Sequence, residues 1–487
     1  MHLGVPGTPA ARPGPVRILV VAVMSGRDPR GGGLAAFNQD FTRALAREHD
    51  VTLLTTESFG DHGAARTVTI GPGSVDLPDG VADVPHARLV GLGRRHRPED
   101  IGLGGASERY DLVVAHSLFL DAAATELRRL WYPGTPVAHV LHTAPERYQT
   151  LLGRPEEGRS AAHHLRRVMS RADILGGVGR LLTDEAVRLG QGSGRTHPSH
   201  EIVPGAEIRS PGGIPPLDDG MVVTFRGRLG DPIKGHADLL GAARMLHEGG
   251  QDVRFHSRGA DPETWRREQT AADAAVGAPG VVRVAPFTSD EAELERDLHG
   301  AHLMVMPSLH EGFGLAAWEA AARGLPVLVS EESGVARFLT DPARVPPEVG
   351  RPCVVRDAGL TGEARSRAWA QAILRARAEL PLRWHNARRL HTILGGYSWD
   401  DSARAFVNGT LRTPLTRHTV QVAGGALHSS ASPAGRGEAD PRVAMWGRPG
   451  ARGLTGAVGR AVSGAGPMER PRRVGAAHAA RRRTAGG

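Results

Sequence analysis

Met306-Pro307-Ser308-Leu309-His310-Glu311-Gly312-Phe313-Gly314-Leu315-Ala316-Ala317-Trp318-Glu319-Ala320 carries the chain out of an apolar run, Leu303–Met306, and into a helix that starts near Leu315. A short buried strand that empties through a glycine loop into a helix is the repeating unit of a parallel α/β sheet. Gly312 and Gly314 permit close backbone approach, and the helix start offers free N–H groups to an anion or a sugar hydroxyl. Glu311 stands on the loop and Glu319 in the helix, eight residues on. A carboxylate in so apolar a frame is costly without a partner. The pair therefore reads as directed at a ligand, the bland alternative being a charge that favours the helix dipole.

Working outward, the same pattern recurs on both sides. Upstream, strands are predicted at Arg17–Val23, Val51–Thr55, Leu112–Ala115, Val137–Leu141 and Ile174–Val178, with an amphipathic helix from Leu34 to Arg47. A Pro/Gly/Asp-rich connection, Ser210–Asp219, interrupts the pattern. It restarts with strands at Val222–Arg226, Val253–His256, Val281–Val284, Leu303–Met306 and Pro326–Ser330, and helices at Gly235–His247, Asp290–Gly300 and Leu315–Arg323. The expected organisation is a loose N-terminus (1–15), an α/β domain (16–209), a linker (210–219), a second α/β domain (220–396), a closing helix in 397–410 from Trp399 to about Val407, and a basic tail (411–487). Two doubly wound sheets facing each other leave a cleft at the carboxyl ends of their strands, where ligands bind.

A second segment, Phe225-Arg226-Gly227-Arg228-Leu229-Gly230-Asp231-Pro232-Ile233-Lys234-Gly235, also links a strand to a helix. It lacks the Gly-x4-Gly-Lys-Ser/Thr spacing of a P-loop. Of 60 lysines and arginines, Lys234 is the sole lysine. Where nearly every ammonium has become a guanidinium, the survivor marks a site that arginine does not suit. In the first half, Gly31-Gly32-Gly33 precedes a helix, and a loose dinucleotide fingerprint or a plain flexible loop are its alternatives. The fingerprint needs its first glycine directly after the strand, and Met24–Arg30 intervene. His116 and His142 each end a predicted strand, where a hydrogen-bonded structural histidine is the alternative.

The frame around Glu311 and Glu319, with Pro307-Ser308 before it and Ala322-Arg323-Gly324-Leu325-Pro326-Val327 after it, resembles the paired-glutamate motif of the retaining GT-B glycosyltransferases of family 4. The resemblance runs from about Val16 to Val407 and is firmest in the second half. It implies two Rossmann-like domains facing across a cleft and transfer of a sugar from a nucleotide-diphosphate sugar, with retention, to an acceptor hydroxyl that the sequence does not name. It implies that Glu311 contacts donor-sugar hydroxyls, that Glu319 holds the ribose, and that Arg228 and Lys234 grip the diphosphate and stabilise the leaving group, a role that suits an arginine fork and a point-charge lysine. It places His142 near the donor sugar, His116 at a less defined cleft position, and Gly32, Gly33, Gly312, Phe313 and Gly314 along the donor. Gly205 and Arg337 depart from it: the family often has an asparagine and an acidic residue there. Those departures leave a binding-only or scaffold module as the alternative, and a phosphorylase or epimerase on the same frame as a further one.

Composition bounds the rest. The 487 residues carry a formal charge of +8, but Leu411–Gly487 holds 13 arginines against three acidic residues, so the excess lies in the tail. That Gly/Ala/Arg/Pro-rich segment reads as disordered and solvated, with contact to an anionic membrane as the open alternative and nucleic acid not expected. No apolar run reaches membrane-spanning length. The single cysteine, Cys353, is expected as a buried strand residue and excludes an intrachain disulfide, which suits a cytoplasmic protein. There is no Asp-x-Asp, so the donor is expected to bind without a divalent metal; His197-Pro198-Ser199-His200 is not expected to bind one either. No cofactor is expected beyond the nucleotide sugar as co-substrate, and the absence of Gly-x-Ser-x-Gly argues against a serine hydrolase.

Overall fold

The computed structural model describes residues 14–27, 32–77, 83–104, 109–116, 120–191, 196–218 and 220–412. Most of the expected loose N-terminus, Gly31, and the basic tail from residue 413 onward lie outside them. Two all-parallel sheets form the core. The first contains β1 (Arg17–Ser25), β2 (Asp50–Ser58), β3 (Arg66–Thr69), β4 (Leu112–His116), β5 (Val137–Leu141), β6 (Ile174–Val178) and β7 (Ser199–Ile202), in the order β3-β2-β1-β4-β5-β6-β7. The second contains β8 (Met221–Arg226), β9 (Val253–Ala260), β10 (Val282–Pro286), β11 (Leu303–Met306), β12 (Val327–Ser330) and β13 (Val354–Val355), in the order β10-β9-β8-β11-β12-β13.

The apolar strands fold this way because helices cover both faces. Ile18 to Ala22 are all 0% exposed, as a central parallel strand requires. Strand order reverses between β1 and β4 in the first sheet and between β8 and β11 in the second. The loops after those four strands are therefore where a ligand crevice opens. They carry Arg27, His116, Arg228 and Glu311 at or just beyond the strand ends.

Three edge strands escape the sequence reading. β3 is mostly exposed, β7 is Ser-His-Glu-Ile, and β13 has two residues, so none has an apolar run to betray it. The helices Gly362–Ala378, rich in alanine and arginine, and Leu380–Leu394, rich in leucine and arginine, were also not anticipated. Cys353 is not a strand residue. It ends a 3₁₀ turn, Arg351–Cys353, is half-buried, and its Sγ donates to the Val349 carbonyl at 3.4 Å. Burial pushes its thiol up to about 11, against the opposing charge of Arg383, which disfavours the thiolate.

The closing helix starts at Trp399 as expected but runs to Arg412, past Val407 and past the expected tail boundary at 411. Thr410 is 1% exposed and Leu411 packs on the core, which holds the last turn in place. This helix returns to the first domain. The Phe406 ring meets Phe41 at 5.6 Å, the Trp399 ring meets Phe37 edge-on at 5.2 Å, and Arg404 pairs with Glu48 at 2.5 Å.

Candidate donor cleft between the two sheets

After β8 the chain makes a 3₁₀ turn, Pro232–Lys234, capped by Asp231, whose Oδ1 accepts from the Ile233 N–H at 3.1 Å. Ile233 is 1% exposed, and its carbonyl accepts from Leu309 N–H at 2.7 Å, which ties the turn to the loop after β11. Gly235 has φ +72°, and a Cβ there would lie 1.8 Å from the Pro307 carbonyl oxygen. Only glycine fits that approach. With both loops so bound, Lys234 Nζ reaches Glu311 Oε2 at 2.7 Å, and Ser308 Oγ donates to the same oxygen at 3.1 Å. Burial would raise the Glu311 carboxyl pKa; the Lys234 charge and hydrogen bond, with Ser308, outweigh it, and the net shift is downward. The loop itself is held by Glu311 N–H to Glu332 O and Gly334 N–H to Glu311 O, both 3.1 Å.

Arg228 points its Nη2 at Asp231 Oδ2, 2.9 Å away, and is half exposed. The same oxygen accepts from the hydroxyl of Tyr148 at 3.2 Å, across the cleft from the helix Pro145–Leu151 of the first domain. Burial first, and Asp231 second, push the Tyr148 hydroxyl up to about 12, so it stays a donor.

Glu319 sits at the other end, between two arginines. Arg27 Nη1, just after β1, is 3.5 Å from Oε1, and Arg226 Nη1, the last residue of β8, is 3.5 Å from Oε2. Arg27 also lies 3.5 Å from Asp40. Burial lowers the Arg226 pKa in spite of Glu319. For Arg27 burial acts downward too, but Glu319 and Asp40 outweigh it. Burial raises the Asp40 carboxyl to about 6, with Arg27 only partly offsetting it. Arg27, Arg226, Asp40 and Tyr148 carry no motif, and the sequence reading did not single them out. The only available signal was position: Arg27 and Arg226 follow or end the strands at which the sheet order reverses.

His142 follows β5 and lines the cleft, with Phe37 edge-on at 4.9 Å. Its Nε2 is 2.9 Å from Nδ1 of His116. His116 itself is 0% exposed and does not line the cleft, so the expectation that it meets substrate gives way to a place behind His142. Burial lowers both pKa values, to about 3 for His116, and both rings are neutral. Gly32, Gly33, Gly312, Phe313 and Gly314 line the same cavity as Glu311, Glu319, Arg228, Lys234 and His142. Its volume is about 340 Å³. Gly312 has a structural reason beyond ligand approach: a Cβ there would meet the His142 carbonyl oxygen at 2.6 Å. Phe313 is 4% exposed and stacks edge-on against Trp318 at 5.2 Å, so it walls the cleft more than it enters it.

The departure at Gly205 has a physical cause. A Cβ at Gly205 would lie 2.2 Å from the Trp399 backbone nitrogen, and the Gly205 carbonyl accepts from Trp318 Nε1 at 3.2 Å. The returning helix takes the space that an asparagine side chain would need. Arg337 is exposed, in the last turn of the helix Gly334–Thr340.

Residues 21–406 match the model of a family described as family 4 glycosyltransferases in conflict systems. Among curated proteins, the chain is 30% identical over 331 residues to the D-inositol 3-phosphate glycosyltransferase of Acidothermus cellulolyticus, covering 59% of this chain and 67% of that one. In three further relatives of that name the match spans 57–59% of their length. Two solved structures share the fold. Sucrose-phosphate synthase from Thermosynechococcus elongatus has a TM-score of 0.63 at 19% identity, covering 81% of this chain and 98% of that one. Anabaena HepE, in complex with UDP and glucose, has a TM-score of 0.58 at 16% identity, covering 81% and 99%. With two parallel sheets, a cleft at their switch points and a family match over most of its length, this chain belongs to the family 4 glycosyltransferases, of GT-B fold.

Proposed function

We propose that the chain transfers a hexosyl group from a nucleoside diphosphate hexose to an acceptor hydroxyl, with retention of configuration. The observation that carries this is one cleft with a cation-held glutamate at each end: Lys234 on Glu311 at 2.7 Å, and Arg27 and Arg226 on Glu319 at 3.5 Å. In this reading Glu319 accepts the two vicinal ribose hydroxyls, and Glu311 accepts from hydroxyls of the donor sugar. Lys234 and Arg228 face the diphosphate. The acceptor oxygen bonds to the anomeric carbon on the face that the diphosphate leaves. The breaking C–O bond gives its electron pair to the diphosphate, and a diphosphate oxygen takes the acceptor proton. Lys234 and Arg228 stabilise the charge so formed. His142, neutral and held through Nε2 by His116, has Nδ1 left to meet the sugar. His116 acts as a positioning residue.

HepE in complex with UDP-glucose supports a uridine diphosphate hexose as the first donor to try, and the names of the curated relatives make D-inositol 3-phosphate the first acceptor. A melting screen against nucleotide sugars tests the reading, because a ligand at about 100 times its Kd stabilises by about 2.7 kcal/mol. A shift with one donor, followed by transfer or slow hydrolysis of that donor, is expected. Flat melts with every donor and no turnover would leave only the binding-free scaffold.

Metal independence belongs to the same proposal, since in this reading two cations, Lys234 and Arg228, serve the diphosphate in place of a divalent ion. Turnover in EDTA is expected to equal turnover without it. Loss in EDTA with recovery on adding Mg²⁺ or Mn²⁺ would require a bound ion. The location proposed is the cytoplasm, which suits a nucleotide-sugar donor and a single cysteine. Among the described residues no helix is long and apolar enough to cross a membrane. Contact of the arginine tail with an anionic surface is tested by vesicle sedimentation with and without residues 413–487.

A further inference from the structure

A second cavity lies at the β13 edge of the second sheet and shares no lining residue with the cleft. The helix Gly362–Ala378 turns Ala368, Gln371, Ala372 and Arg375 toward it, the i, i+3, i+4, i+7 spacing of one helical face. Two alanines there leave open the space beside the partly exposed Pro352 and Val354, and the hollow has a volume of about 350 Å³. That is within the range of small-molecule sites. Arginines surround it: Arg351 and Arg356 on either side of β13, Arg375 on the covering helix, and Arg383 on the next.

The charge is uncompensated. No acidic residue lines the hollow among the described residues. Arg383 has Glu379 at 2.9 Å, but Arg351, Arg356 and Arg375 pair with no carboxylate among the described residues. Asp357, next to Arg356 in the chain, is 2% exposed and engaged elsewhere, accepting from Arg365 at 2.5 Å, Trp369 at 3.0 Å and Ser330 at 2.7 Å. Like charges gathered around one apolar floor repel one another, and an anion with an organic body relieves the repulsion and covers the floor. Guanidinium groups bind phosphate oxygens through paired N–H donors.

We propose that this hollow binds a small organic phosphate, with the phosphoryl group on Arg356 and Arg375 and the body of the ligand over Pro352 and Val354. A sugar phosphate and a nucleoside monophosphate share this chemistry. The site is separate from the donor cleft and does not depend on the reading of that cleft. Calorimetry on the full chain tests it with glucose 6-phosphate, AMP and inorganic phosphate as probes. Saturable binding of one of the two esters is expected, which also identifies the source. It should be tighter than inorganic phosphate, persist in Glu319→Ala, and weaken about tenfold or more in Arg356→Ala and in Arg375→Ala. Both arginines are exposed, so their melts should match wild type without ligand. Equal affinity in the arginine variants, no heat with either ester, or inorganic phosphate binding as tightly as both esters would overturn the assignment. Binding lost in Glu319→Ala but kept in the arginine variants would move the ligand to the cleft and also overturn it.

Discussion

The two ends of the cleft hold their glutamates differently. At the Glu311 end, one lysine meets one carboxylate at 2.7 Å, and a serine hydroxyl supports the same oxygen. Both partners come from the second domain, from loops tied by backbone hydrogen bonds. At the Glu319 end, two arginines stand 3.5 Å away, beyond good hydrogen-bond geometry, and one of them comes from the first domain. The first end is built within one domain. The second is an arrangement of charges completed only when the domains meet, which suits the part of a donor that is bound and released rather than transformed. On the proposed reading, preorganised charge near the reacting bond acts on the transition state, whereas looser charge around the nucleotide acts on binding.

The sharpest way to break this contrast is at the built end. Glu311→Gln is expected to lower kcat by about 100- to 1000-fold, the scale of losing one preorganised polar contact, while nucleoside diphosphate affinity stays near wild type. Lys234→Ala should lower kcat/KM by about 10- to 150-fold, from roughly 1.5–3 kcal/mol of charge-assisted contact. Lys234→Arg should recover only part of it, because a planar fork does not replace a compact ammonium against Glu311. Steady-state kinetics beside melts checks all three. Wild-type kinetics in Lys234→Ala would remove the diphosphate assignment.

At the loose end the expected loss is in binding. Glu319→Ala should weaken the nucleoside diphosphate by about 10- to 100-fold, as two hydroxyls lose a charged acceptor, and should change kcat at saturating donor far less. Calorimetry with the nucleoside diphosphate alone is the measurement. Unchanged affinity would take the ribose from Glu319.

How much of this could be read beforehand follows the same division. Glu311, Glu319, Arg228 and Lys234 lie in two strand–loop–helix segments whose apolar runs and glycines are visible along the chain. The doubly wound fold was legible from the same alternation, because parallel strands are continuous apolar runs. That Lys234 and Glu311 touch was not legible, since it depends on a 3₁₀ turn and a glycine packed against Pro307. Arg27, Arg226, Asp40 and Tyr148 were hidden because they act by converging from separate elements, and in a chain this rich in arginine no single one stands out. The edge strands were hidden because they are short and polar. His116 was placed correctly at a strand end, but burial cannot be read from that position alone.

Arg27 allows the cross-domain part of the contrast to be tested with a smaller effect. It is partly exposed and its contacts are long, so its pairing is worth no more than about 1 kcal/mol. Arg27→Ala should raise the donor KM by about three- to fivefold with kcat little changed. A tighter nucleotide in Arg27→Ala would mean that the guanidinium competes with the ribose for Glu319 instead of supporting it.

The last expected effect is on stability, not turnover, and lies behind Arg27, at Asp40. Its folded carboxyl titrates at about 6, against an ordinary value of 3.8, because burial favours the neutral form and Arg27 compensates only in part. Between those two values the folded chain binds more protons than the unfolded chain, so stability falls as pH rises. Asp40's contribution is thus fully present below about pH 3.8 and is lost as pH passes through about 6. The melting temperature of wild type minus that of Asp40→Asn should decline from pH 4 to pH 6 and then level off. Arg27→Ala removes the nearest cation, so in that background the decline should extend to higher pH. A difference that stays flat over this range, with or without Arg27, would show that Asp40 ionises freely. The loose end would then carry no charge strain, and its contrast with the Lys234–Glu311 pair would reduce to distance alone.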